Sequence, residues 1–129
     1  MTEPVEFLDV EDLIDLAGAL LGDPPPIRDV GLLGSAAARP QMSVGGEDAY
    51  PDLWTKAAAL LQSIVKNDAL IDGNKRLGWL ATVAFLWIDG QLLLAPEDDA
   101  YDLVIAVAER RISVSESAGS LAAWIVPRD

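Results

Sequence analysis

Residues that could bind an anion are concentrated in one short stretch of this chain. Residues 67–76 have the sequence N-D-A-L-I-D-G-N-K-R and are followed directly by the apolar segment 77–88. A segment that is apolar on nearly every side predicts a buried helix, so the end of the stretch lies at a helix N-terminus. The residues with suitable chemistry are Asp72, Gly73, Asn74, Lys75 and Arg76.

The two cations of this stretch are poorly placed for helix stability alone. A helix N-terminus carries unpaired N–H groups and a partial positive charge, so a cation in its first turn costs about 0.3–1 kcal/mol. A bound anion would remove this conflict, and Gly73 would let the anion approach the backbone closely. Asp72 supplies a hard oxygen ligand that could hold Mg²⁺ against the same anion. The stretch therefore predicts a site for the phosphates of a nucleotide.

A plainer interpretation of the same residues stays open. Asp72-Gly73 is a common turn pair, and Asn74 is an ordinary N-cap residue. Lys75 and Arg76 would then be a solvated pair. The joint position of all these residues at the start of the most apolar helix favours the phosphate site.

Residues 68–76 also resemble the signature of the Fic/Doc family, H-x-F-x-D/E-x-N-K/G-R. Lys75, and Trp79 where the Fic branch has a second arginine, resemble the Doc (death-on-curing toxin) branch more than the adenylylating Fic branch. Residues 27–33 and 38–41 are similar to the family's segment ahead of its substrate-holding flap. Residues 111–114 are similar to its C-terminal end, so the resemblance spans nearly the whole chain.

The resemblance implies a role for each residue of the motif. Asp72 would ligate Mg²⁺ or position the nucleotide, and Gly73 with the adjoining N–H groups would form an anion nest. Asn74, Lys75 and Arg76 would contact the phosphates of ATP and spread the charge of the transition state. The implied reaction is phosphoryl transfer from ATP to a hydroxyl of the translation elongation factor EF-Tu. A nucleotide bound the opposite way round would lead to adenylylation (AMPylation), and a Phd-type antitoxin is the partner implied.

One position departs from the family motif. The catalytic His of the motif corresponds to Asp68, and the chain contains no histidine. An aspartate can act as a general base, but its side chain is shorter and adds negative charge near the phosphates. Loss of a general base typically costs about 10²–10⁴-fold in rate, so an impaired enzyme is expected.

Two origins of Asp68 remain open, natural divergence and a deliberate His→Asp change. The intact remainder of the motif favours the second, because an unselected site would be expected to drift. The alternative function, with Asp68 natural, is a non-catalytic module that binds a nucleotide or a partner protein.

Composition excludes several other functional classes. A net charge of −12 argues against direct nucleic-acid binding, which needs a basic face. The absence of Cys and His excludes disulfides, thiolate chemistry and most zinc sites. The apolar segment 77–88 is too short for the ~20 residues of a membrane span. The acidic N-terminal residues 1–6 lack the basic start of a signal peptide, so a cytoplasmic protein is expected.

Periodicity predicts a compact all-α bundle of six helices in a single Fic/Doc-like domain, residues 1–129. The central buried helix is expected at 74–88 and the exposed flap loop at 40–51. All four tryptophans are expected in the core, with Trp79 near the pocket, and Arg28 and Arg39 are interpreted as surface charges or contacts to a partner peptide. The other five helices are expected from Asp9 to about Leu21, from Asp29 to Pro40, from Asp52 to Asn67, from Pro96 to Arg110-Arg111, and from Ser113 to Trp124.

Overall fold

The computed structural model describes residues 4–129, which form six α-helices and two small antiparallel sheets. The all-α prediction is confirmed. Residues 1–3 of the acidic N-terminal segment lie outside the described residues. The helices are α1 (Val10–Leu21), α2 (Val30–Ala38), α3 (Leu53–Asn67), α4 (Asn74–Ile88), α5 (Glu97–Ala108) and α6 (Val114–Trp124). The strands are β1 (Ser43–Val44), β2 (Glu47–Asp48), β3 (Gln91–Leu93) and β4 (Ile125–Pro127).

Four of the helices begin at polar caps, at the residues where the sequence predicted the helices to start. The Asp9 carboxylate accepts a hydrogen bond from the Asp12 N–H at 2.8 Å, and the Asp12 carboxylate accepts one from the Asp9 N–H at 2.9 Å. This reciprocal pair satisfies two N–H groups that the first turn leaves unpaired. Equivalent pairs start α3 at Asp52 and α6 at Ser113, and the Asp29 side chain caps α2.

The most buried helix is α3, and not α4 as the sequence predicted. Nine of the fifteen residues of α3 are buried, compared with six of fifteen in α4. Helix α3 packs against α2, α4, α5 and α6, whereas one side of α4 lines an open cavity between it and α5. The two helices approach closely at Gly78, where an added Cβ would lie 2.8 Å from a Val65 methyl carbon.

The exposed flap predicted between α2 and α3 is a small hairpin. Strands β1 and β2 pair antiparallel around Gly45-Gly46, which have positive φ angles. The base of the hairpin is held by two cations, Arg39 and Lys56. Interpreting Arg39 as a surface charge was wrong, because its guanidinium donates to the hydroxyls of Tyr50 and Ser63 and to the Gln62 side chain.

The expectation that all four tryptophans lie in the core was also wrong. Trp54 is 42% exposed in the first turn of α3, whose buried residues begin at Lys56. Trp87 is 47% exposed, and the Arg128 guanidinium lies 4.8 Å from its ring centroid. Arg110 and Arg111 follow the C-cap residue of α5 and are not in its last turn. Among residues 4–129, no helix combines the length and hydropathy required to cross a membrane.

Candidate functional site

The motif loop, residues 68–73, connects α3 to α4 and has a left-handed residue at each end. Asp68 has φ 58° and ψ 39°, and Gly73 has φ 89° and ψ 12°. Glycine adopts this conformation without the steric cost that a Cβ adds. A Cβ at position 73 would also lie 2.7 Å from a methyl carbon of Leu21, so α1 contacts the loop directly there.

The connector between α1 and α2 supports the motif loop through backbone hydrogen bonds. The N–H groups of Arg28 and Asp29 both donate to the Ala69 carbonyl, at 2.8 and 3.0 Å. In the opposite direction, the Ile71 N–H donates to the Pro26 carbonyl at 2.8 Å. Ala69 is buried, so the loop has a fixed inner side while Asp68 and Asp72 remain exposed.

Asn74 holds the motif loop from the α4 side. The interpretation of Asn74 as an N-cap was wrong, because Gly73 occupies the cap position and Asn74 is the first helical residue. Its side-chain oxygen accepts the Leu70 N–H at 3.0 Å, and its Nδ2 donates to the Leu70 carbonyl at 3.0 Å. The same Nδ2 lies 3.1 Å from Asp68 Oδ1 and donates to it. Asn74 thus orders the loop and orients the Asp68 carboxylate.

The start of α4 lacks a side-chain cap and has no acidic residue in its first turn. Lys75 and Arg76 extend from this turn and are exposed. The Gly73 N–H, predicted to belong to an anion nest, donates to Asp72 Oδ1 at 2.9 Å in this structure. The N–H groups of residues 74–76 therefore remain the main backbone donors that the helix end can offer to an anion.

Six predicted site residues surround one small pocket. Its volume is about 270 Å³, and Val65 forms the apolar part of its wall. The pocket brings two carboxylates, two cations and an uncapped helix N-terminus together. The predicted residues that line it are Asp68, Asp72, Gly73, Asn74, Lys75 and Arg76.

Lys75 and Arg76 also line a second, larger cavity of about 830 Å³ between α4 and α5. Its walls are mostly apolar and include two aromatic residues, Trp79 and Tyr101. Trp79 follows Arg76 by one helical turn, as expected from the sequence. A ligand whose anionic end lies in the small pocket could therefore extend past the two cations onto an apolar surface.

Arg28 is a residue of this site that the sequence did not identify. Its guanidinium donates to the Asp68 carbonyl oxygen and lies 3.6 Å from Asp68 Oδ2. The two residues are forty positions apart, and no helical or strand periodicity connects them. The sequence signals were the family resemblance of residues 27–33, which include Arg28, and its position shortly after three prolines.

Comparison with known proteins relates this site to a family. The model of the Fic/DOC family matches residues 7–86, which include the whole motif loop and the start of α4. A protein named "Toxin Doc" from Mycolicibacterium smegmatis is 48% identical over 121 residues, covering 92% of this chain and 93% of the relative. The chain belongs to the Fic/Doc family. The resemblance seen in residues 68–76 is confirmed, and members of this family are transferases that use nucleotide substrates.

The oxygen ligands of this Fic/Doc site suit Mg²⁺ only together with a bound nucleotide. Among residues 4–129, no group of three or more Asp, Glu, His or Cys residues forms a ready-made metal site. The small pocket does contain the two carboxylates of Asp68 and Asp72. Because Mg²⁺ usually combines one or two carboxylates with substrate phosphates and water, this set fits a metal that arrives with a nucleotide.

Proposed function

We propose that this chain is a Doc-like toxin that transfers a phosphoryl group from ATP to a hydroxyl of a protein target. The observation that carries the proposal is the position of Lys75 and Arg76 beside the uncapped start of α4, in one pocket with Asp72. An anion there would gain from both side chains and from the helix dipole. Phosphoryl transfer requires mainly such charge stabilisation and positioning.

The residues divide this work by their chemistry. Arg76 offers a planar fork of donors that matches phosphate oxygens, and Lys75 offers a compact point charge. Asp72 would hold Mg²⁺, which neutralises charge on the phosphates when bound. The apolar cavity beyond Lys75 and Arg76, with Trp79 and Tyr101 in its wall, would accommodate the rest of the nucleotide.

Asp68 occupies the position of the family's general base, and we expect it to be a weak one. Its carboxylate lies in the pocket and is 67% exposed, so a target hydroxyl can reach it. The side chain is shorter than imidazole and carries a charge that repels phosphates. We therefore expect nucleotide binding with transfer reduced by about 10²–10⁴-fold relative to a histidine.

The target and partner follow from the family rather than from individual residues. We propose EF-Tu as the target because the resemblance to the Doc branch implies it. Lys75 and the absence of a second arginine at Trp79 favour phosphorylation over AMPylation. A Phd-type antitoxin is the proposed protein partner. Similarity over nearly the full length to the protein named "Toxin Doc" from Mycolicibacterium smegmatis supports a toxin with an antitoxin partner.

Incubation with EF-Tu and radiolabelled ATP tests this function. The parent chain and Asp68→His are compared with label at the γ-phosphate and, separately, at the α-phosphate. We expect Asp68→His to transfer γ-label at a rate about 10²–10⁴-fold above the parent. Transfer of α-label would instead indicate AMPylation. Asp68→Asn is the matched control, because it keeps the shape of the side chain without a base.

The second candidate function is a non-catalytic module that binds a nucleotide or a partner protein. The observation that favours it is the engagement of Asp68: Asn74 donates to one carboxylate oxygen and Arg28 lies near the other. These two contacts give the Asp68 carboxylate a structural role in the motif loop that does not require catalysis. If neither Asp68→His nor the parent transfers either label while both bind ATP, this second function replaces the first.

A further inference from the structure

We propose that Arg28 is a positioning residue of the nucleotide site. It fixes the backbone of residue 68, and its positive charge reduces the repulsion between the Asp68 carboxylate and the bound phosphates. The second part rests on the proposed function, since it requires a nucleotide in the pocket. The first part concerns the free protein and stands independently.

Arg28 contacts residue 68 at two points. Its Nη2 donates to the Asp68 carbonyl oxygen and lies 3.6 Å from Asp68 Oδ2. From the other side, Asn74 Nδ2 donates to Asp68 Oδ1 at 3.1 Å. The carboxylate of Asp68 is thus held between a cation on the α1–α2 connector and an amide at the start of α4.

The backbone at residue 68 needs such support. Asp68 ends α3 in the left-handed conformation at φ 58°, which a residue with a Cβ adopts at a steric cost. Carbonyl groups at a helix C-terminus also lack intrahelical partners and carry partial negative charge. The Arg28 guanidinium supplies both a donor and a cation there. Because this bond goes to the backbone, it does not depend on the side chain at position 68.

Arg28 acts through Asp68 rather than on the ligand directly. The small pocket is lined by Asp68, Lys75 and Arg76, but Arg28 is not among its lining residues. An unscreened Asp68 carboxylate in that pocket would repel the phosphates that Lys75 and Arg76 attract. Arg28 contacts Asp68 without lining the pocket, and its positive charge offsets that of the carboxylate.

A double-mutant cycle with Arg28→Gln and Asp68→Asn tests the electrostatic part, with the dissociation constant of Mg²⁺-ATP measured by calorimetry. We expect Arg28→Gln to weaken ATP binding about 2–5-fold, the range typical of coupling between exposed charges. In the Asp68→Asn background, Arg28→Gln should weaken ATP binding by less than about 1.5-fold, because the negative charge that Arg28 offsets is absent. Arg28→Lys should retain most of the affinity. An equal loss of ATP affinity in both backgrounds would overturn the electrostatic part, because it would mean that Arg28 does not act through the charge of Asp68.

Hydrogen exchange without nucleotide tests the positioning part. We expect Arg28→Gln to speed exchange of the Leu70 and Ile71 amides at least about 3-fold, since these amides report local opening of the motif loop. Arg111→Ala is the matched control, because Arg111 forms an exposed ion pair with Glu109 at 2.9 Å on the α5–α6 connector. Exchange in Arg28→Gln that equals the control would overturn the proposal. If the parent and Asp68→His bind no ATP, the proposed function fails, while exchange still decides the role of Arg28.

Discussion

Two pairs of cations in this chain have opposite surroundings. The chain has nine Lys and Arg residues in all. Lys56 is only 4% exposed, and its ammonium donates to the Tyr50 carbonyl and to Asp48 at 3.1 Å. Arg39 donates to the side chains of Tyr50, Ser63 and Gln62, and its guanidinium lies 5.4 Å from the centroid of the Tyr50 ring. This first pair is fully engaged in holding the hairpin onto α3.

Lys75 and Arg76, the second pair, are exposed at the start of α4. The three ion pairs formed among residues 4–129 include neither of them. A cation at a helix N-terminus opposes the macrodipole, so nothing in the fold explains their position. Cations with hydrogen-bond partners, such as Lys56, stabilise the fold. Cations that are unpaired within the described part of the chain and lie in an unfavourable position, such as Lys75 and Arg76, indicate a ligand site. Substitutions in the two pairs should therefore separate stability from ligand binding.

The largest effect is expected for Arg76→Ala in the Asp68→His background. Removing a donor that stabilises transition-state charge should lower the transfer rate about 10²–10³-fold. The melting temperature should stay within about 2 °C of the parent, since exposed substitutions usually change stability by less than about 0.5 kcal/mol. Initial rates with γ-labelled ATP and thermal unfolding measure the two quantities. A large drop in melting temperature would place Arg76 with the structural cations.

The converse result is expected for Lys56→Met. Methionine keeps the apolar stem but leaves the part-buried Tyr50 carbonyl without its donor, so the loss of stability should be about 2–3 kcal/mol. The dissociation constant of ATP should be unchanged. Urea unfolding and calorimetry test both statements. Lys66→Met, on the last turn of the same helix, is the matched control and should cost less than about 1 kcal/mol.

The sequence predicted features that depend on neighbouring residues and missed those that depend on distant residues. The helix starts at Asp9, Asp52 and Ser113 were predicted correctly because a cap and its partner lie three residues apart, so local chemistry decides where these helices begin. The motif residues 68–76 were found because they are contiguous. Arg39 was misassigned, and the contact of the exposed Arg28 with Asp68 was missed, because their partners are distant in sequence and only the packed fold brings them together. Trp54 was misassigned because helical spacing alone does not reveal which face other elements cover.

A smaller effect is expected for Gly73→Ala at the motif loop. The positive φ at this position should cost about 1–2 kcal/mol with a Cβ present. The Leu21 side chain must also move, because its methyl carbon would lie 2.7 Å from that Cβ. Gly90→Ala separates the two causes, since Gly90 has a similar φ of 82° with open space around it. Urea unfolding of both variants should show the larger loss for Gly73→Ala, and equal losses would mean that the Leu21 contact is unimportant.

The smallest effect concerns Asp89, a charged group that is only partly engaged. The Glu6 N–H donates to Asp89 Oδ1 at 2.8 Å, but Oδ2 is buried without a partner among the described residues. Burial raises the pKa of the Asp89 carboxyl, and the nearby Glu6 charge raises it further, against the lowering by the Glu6 N–H bond. The folded chain therefore binds this proton more tightly than the unfolded chain does.

The sign of the pH dependence follows from that raised pKa. The stabilising contribution of the Asp89 proton is complete below the unfolded value of about 3.8 and is lost as pH rises through the folded pKa. Asp89→Asn lacks this loss, so its stability relative to the parent should increase from pH 3.5 to pH 7. Glu6→Gln removes one cause of the raised pKa and should reduce the pH dependence in part. Urea unfolding from pH 3.5 to pH 7 measures the free energy of unfolding of the parent and the variants. If the difference between the parent and Asp89→Asn does not change with pH, the Asp89 carboxylate is as well paired as the Lys56 ammonium.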